Sequence, residues 1–217
     1  MPRLPELFAT LAVVGTLGGC APRPRMCDAQ AACPARMACV AGRCQREGAE
    51  PAISTARRIV LEPAAAAYVR RGEGESGGAM PSLFTLGRRA DGDSALLLRF
   101  AAPLAPDAAV IEAYILLERS QAVDMDPTPI GLYAARITAP WDARSVSWAT
   151  QPPIEDTRSP VTLMPAAAHS LVRIDVRALV EAWRKHDPRD QGIAILAQSS
   201  TVTGATFASG RLELYVK

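Results

Sequence analysis

From about Thr55 to the C-terminus, apolar and polar residues alternate. In VIEAYILLER, Ile111, Ala113, Ile115 and Leu117 share one phase, with Glu112 and Glu118 on the other. ALLLRF sets Leu96, Leu98 and Phe100 against Arg99. LVRIDV sets Val172, Ile174 and Val176 against Arg173 and Asp175, and RLELYV sets Leu212, Leu214 and Val216 against Arg211 and Glu213. Period two marks strands with one face inward. The segments RRIVL, AYVR, LFTLG, IGLYAAR and GIAILAQ extend the set, and RSVSWATQP also reads as a strand, with Trp148 on the phase of Val146. Gly, Pro and Asp between them predict turns, so the expected fold is mainly β, an antiparallel β-sandwich of jelly-roll type. Its outward charges are expected to be solvated.

One segment changes period. Val176, Leu179, Val180 and Trp183 follow helical spacing. Asp175 is placed to cap the helix and Asp187-Pro188 to stop it. A strand therefore leads straight into one short amphipathic helix across an open end or edge of the sandwich, with Trp183 plugging the core.

The N-terminal pattern differs. Arg3 precedes an apolar run from Leu7 to Leu17, too short to span a bilayer comfortably. It closes in Leu17-Gly18-Gly19-Cys20, which resembles the bacterial lipobox; the resemblance implies cleavage before Cys20 and lipidation of that cysteine. Ala21 then favours the outer membrane over the inner one by the same analogy. Several acyl chains together anchor firmly. Residues 1–19 are thus a lipoprotein signal peptide and 20–26 a lipidated tether. Next come a cysteine-rich knot over 27–44, a linker over 45–55 and the sandwich over 56–217.

Cys27, Cys33, Cys39 and Cys44 lack the short paired knuckles of a zinc site, and the chain is expected in an oxidising compartment. Two disulfides are expected. Four cysteines allow three connectivities, which sequence alone does not decide; the interleaved one, Cys27 with Cys39 and Cys33 with Cys44, is preferred. So few residues bury little core, and the bridges must stabilise the knot.

Charge adds only exclusions. Twenty-four basic against 22 acidic residues leave +2, with the basic residues scattered, so nucleic acid is not an expected partner. His169 and His186 belong to no catalytic motif, no nucleophile elbow or H-E-x-x-H occurs, and no cofactor is expected. Glu112 and Glu118, the paired carboxylates a glycosidase would need, fall on an outward phase. Asp124 and Asp126 in VDMDPTP offer two weak calcium ligands, although a turn in which they bond their own backbone explains them better. Asp91 and Asp93 in RADGDS read first as a hairpin turn. Arg70, Arg71, Arg88 and Arg89 flank neighbouring strands and, with Tyr114, are the candidate glycan-binding residues. Guanidinium groups would suit an acidic polysaccharide. Tyr68, Tyr133 and Tyr215 complete the tyrosines.

The ordered segments AAYVRR, SLFTLGRR, SALLLRF, AVIEAYILLE, ITAPWDARSVSWATQP, VRIDVRALVEAWRKHDPRDQGIAI and ASGRLELYVK resemble the DNRLRE domain. This is a disaggregatase-related β-sandwich akin to carbohydrate-binding modules. The resemblance covers roughly residues 57–217. It implies that Trp141, Trp148 and Trp183 hold architectural positions and belong to the core rather than to a stacking platform. The family's acidic and asparagine residues in the first loop are replaced by alanines and glycines in EPAAAAYVRRGEGESGGAMPS. The expected function is that of a non-catalytic surface lipoprotein, membrane-bound through its lipid, that binds or organises polysaccharide at the cell envelope. A purely structural or protein-binding module is the alternative.

Overall fold

The computed structural model describes residues 33–34, 37–40, 43–46, 56–72, 80–88, 93–101, 104–105, 107–120, 130–159, 161–163, 171–185, 190–198 and 203–217. Its elements in chain order are a hairpin of β1 (Met37–Val40) and β2 (Arg43–Arg46), then β3 (Arg57–Leu61), β4 (Ala65–Arg70), β5 (Phe84–Arg88), β6 (Ser94–Arg99), β7 (Val110–Arg119) and β8 (Gly131–Ile137). There follow β9 (Ile154–Arg158), β10 (Thr162–Leu163), β11 (Leu171–Asp175), α1 (Arg177–Arg184), β12 (Ile193–Gln198) and β13 (Thr203–Val216).

The strands form two antiparallel sheets and a separate hairpin. One sheet runs β10-β8-β12-β6-β4, with β9 also on β8; the other runs β11-β7-β13-β3, with β5 also on β13. The main core lies between them. It takes Leu96, Leu98 and Phe100 from β6 and its end, Ala113, Ile115 and Leu117 from β7, Val172 and Ile174 from β11, and Leu212, Leu214 and Val216 from β13. These are the inward phases that the alternation predicts, and α1 closes the core with Val180, fully buried, and Leu179 and Trp183, partly so.

Ile111 departs from its predicted phase. Tyr215 pairs with Glu112 but Val216 with Val110, so β7 carries an extra residue there. A bulge reverses the phase beyond it: Val110 enters the core, and Ile111 packs outside with Tyr114 and Leu116. The helix start shifts by one residue, with Val176 at the cap position, while the Asp175 carboxylate accepts the Arg177 N–H at 3.0 Å.

The sheet containing β6 and β12 is apolar on both faces. Ala67, Val69, Ala95, Leu97 and Ala194 point away from the main core and form a second cluster with Ile137, Trp141 and Val146. Residues 138–153 cover it, and they are turns rather than the strand that RSVSW suggests. The reason is local. The Asp142 carboxylate accepts the Arg144 N–H (2.9 Å), and Ser147 and Thr150 bond each other's backbone and hydroxyl groups. Short polar side chains thus satisfy backbone donors that a strand would give to a neighbour. The cover is fastened where the Trp141 indole N–H donates to the Gln191 carbonyl at 2.9 Å.

In the hairpin Cys39 stands opposite Cys44, yet Cys44 is bridged to Cys33 with a Cα–Cα distance of 5.5 Å. Of the three connectivities only the interleaved one contains this bridge. Cys27 and the side chain of Cys39 lie outside the described residues, as do Cys20 and the rest of the leader.

Gly192 leads β12 at φ +126°, and a Cβ there would stand 2.4 Å from the Leu98 carbonyl oxygen. Backbone conformation and lack of space both demand glycine. Gly192→Ala should destabilise the domain by about 1–3 kcal/mol, read as an earlier chemical-denaturation midpoint; an unchanged midpoint would refute this account of the β6–β12 approach.

Candidate functional site

The two-faced sheet ends in a groove. Where β6 begins and β12 ends, Gly87, Asp93, Ser94, Tyr133, Trp148 and Leu196 enclose a depression of about 210 Å³. Ser94 shapes its inner wall, its hydroxyl donating to the Thr85 carbonyl at 2.7 Å. Trp148 is half-buried against the second cluster, with the Arg71 guanidinium 5.3 Å from its ring centre. The Arg71 guanidinium also pairs with the Asp93 carboxylate at 3.5 Å, and the Arg71 backbone N–H donates to the Asp93 backbone carbonyl at 2.8 Å. Across the groove, Tyr133 lies in β8 with the Arg158 guanidinium of β9 4.5 Å from its ring centre. Each aromatic ring thus supports a cation, a contact that orients the guanidinium. Among the described residues, the charged groups at the groove are Arg71 and Arg158 over its two rings and Asp93 in its lining.

Residues 58–212 match the model of carbohydrate-binding module family 96. The chain belongs to this family. A comparison with curated proteins finds no match. The family 96 match spans both sheets, from β3 into β13, and therefore includes every residue of the groove.

Within this module the candidate residues separate. Arg71 is exposed and lies over Trp148, which lines the groove, whereas Arg70 ends β4 on the opposite, inward phase. Arg88 pairs through its backbone with Thr203; its side chain, all of Arg89, and Asp124, Asp126, Asp91, His169 and His186 lie outside the described residues. Tyr114 is on the predicted outward phase, but at 2 % exposure its ring offers no face to a sugar. Tyr215, at 3 %, is alike, and Tyr68 turns inward to donate to the Thr85 carbonyl. Trp148 does not lie between the sheets; it supports Arg71 from the outer cluster. Arg158 escaped the sequence reading because β8–β9 pairing alone brings it to Tyr133, 25 residues away in the chain. Among the described residues, no group of three or more His, Cys, Asp and Glu side chains is placed to hold a metal ion.

The outer face of the other sheet buries charges that alternation assigned to solvent. Glu213 is fully buried and accepts from Arg173 at 2.8 Å and Arg58 at 2.7 Å. Tyr114 donates to Glu112, and burial, followed by that carboxylate, raises its pKa. Burial alone would raise the Glu213 carboxyl, but the hydrogen bonds and charges of Arg173 and Arg58 outweigh it and hold the group below its ordinary 4.5. A depressed folded value contributes stability that is present above pH 4.5 and lost as pH falls through that lower value. Glu213→Gln, which leaves Arg173 buried without its counter-charge, should cost about 3–5 kcal/mol at neutral pH. The gap to wild type should narrow on acidification below pH 4.5 in pH-resolved melting; a gap constant with pH would refute the assignment.

Proposed function

We propose that this protein is a non-catalytic, lipid-anchored surface protein whose family 96 module binds envelope polysaccharide in the groove of Arg71, Trp148, Tyr133 and Arg158. One observation carries the reading: two aromatic rings that line one depression, Trp148 and Tyr133, each carry a guanidinium group, Arg71 and Arg158. Such a rim suits polysaccharide bearing acidic units, because carboxylates accept the guanidinium fork in a paired geometry. The DNRLRE-like order of segments and the pattern at Leu17-Gly18-Gly19-Cys20 support the envelope setting.

A glycan array on residues 21–217 tests the binding. Acidic polysaccharides should bind in a salt-sensitive way. Arg71→Gln and Arg158→Gln should each cost about 1.5–3 kcal/mol of affinity, the range for hydrogen bonds to charged groups, with melting unchanged. Trp148→Ala should lower affinity and melting together, since the ring both fills the outer cluster and seats Arg71. Blank arrays would favour a structural or protein-binding module instead.

The anchor has its own test. Cys20→Ser should release the protein from the membrane fraction of the native host, and a variant still in that fraction would refute the lipid anchor.

A further inference from the structure

The hairpin of β1 and β2 lies outside the family 96 match, which begins at residue 58. A two-stranded hairpin is at best marginally stable in water and needs a surface to pack on. The apolar cluster among its described residues and their neighbour is small: Cys44, Cys33 and Met37, drawn together by the Cys33–Cys44 bridge. Such a cluster does not hold a fold by itself.

The surface beside it is where the two sheets end side by side. β10 is the last strand of one sheet and β11 the last strand of the other. Cα atoms of β1 come within 8 Å of those of both strands, and β10 and β11 come within the same distance of each other. The two edges are joined directly, the Thr162 hydroxyl of β10 donating to the Arg173 carbonyl of β11 at 3.1 Å. Edge strands ordinarily leave a row of backbone groups open to water unless something covers them. Here Thr162 is 2 % exposed and Arg173 3 %. An edge this dry is a covered edge, and β1 flanks it on both strands.

We propose that the disulfide-bridged hairpin is a clamp on the module, packed at the β10–β11 seam to hold the two sheets together on that side, rather than a spacer that folds alone. The bridge joins residues on either side of β1, Cys33 before it and Cys44 in β2, and so fixes the strand that meets the seam. The module is then complete only where cystines persist, in an oxidising compartment. The seam also borders the strand that carries Tyr133, because Thr162 pairs with Leu132 of β8.

The full chain in its exported, oxidised form tests this. Its three tryptophans, Trp141, Trp148 and Trp183, all lie in the sandwich, so their fluorescence reports sandwich melting alone. Cys33→Ala/Cys44→Ala should lower the tryptophan-monitored Tm by about 5 °C or more. Amide exchange at β10 and β11 should accelerate about tenfold or more, with a smaller change at β4, the opposite edge of its sheet. Dithiothreitol added to the folded wild type covers a double variant that fails to fold. Each bridge it reduces takes up two electrons and two protons to become two thiols, as the reagent closes to its own cyclic disulfide. Exchange at β10 and β11 should again accelerate first. An unchanged Tm, or exchange at β10 and β11 unaltered by loss of the bridge, would overturn the clamp and leave the hairpin an independent appendage. None of these readouts involves a sugar, so the clamp and the groove can fail separately.

Discussion

A sheet that is apolar on both faces has to be covered twice, and the rest of the module follows from that constraint. On β6, Leu96 and Leu98 face the other sheet while Ala95 and Leu97 face away, and all four are fully buried. The first cover is the partner sheet. The second is the turn-rich segment 138–153, which brings Trp141, Val146 and Trp148 down on the outer face. Leaving that face wet would forfeit about 25 cal/mol for each Å² of apolar surface. The Trp141 hydrogen bond to Gln191 ties the cover to the start of β12, so cover and sheet form one unit.

The groove lies at one edge of this cover. At one end it stops with Trp148 beside β6 and β12, and the gap is the groove. At the other end Trp141 seats Arg99, one of the residues lining a cleft of about 120 Å³ beneath α1. Indoles thus act twice as ledges for arginines. Arg71 is held further by its pairing with Asp93, and Arg99 by its hydrogen bond to the Trp141 carbonyl.

The opposite sheet solves its outer face by another means. Arg173, Glu213 and Arg58 form a charge-paired row beside Tyr114 and Tyr215. Breaking such a row is costly even when forming it is not strongly stabilising. Its value is geometric: Glu213 receives one arginine from β11 and one from β3, bracing the two outer strands of the sheet across β7 and β13.

The alternation of apolar residues by itself determined the inward phases of β6, β7, β11 and β13, because a one-residue slip would expose a whole core face. The helical spacing of Val176, Leu179, Val180 and Trp183 likewise determined α1. Alternation could not report that an outward phase would also be buried, since Glu213 and Tyr114 look like surface residues until β11 and β3 bring arginines to them. Nor could it detect the bulge that turns Ile111 outward, which is a difference in register between two strands rather than a property of one. Of the groove, Arg71 was legible as part of an arginine cluster. Its supporting ring, its partner Asp93 and the Arg158–Tyr133 pair were decided only by tertiary structure, because each contact joins residues held together by strand pairing and by the cover over a two-faced sheet, not by spacing along the chain.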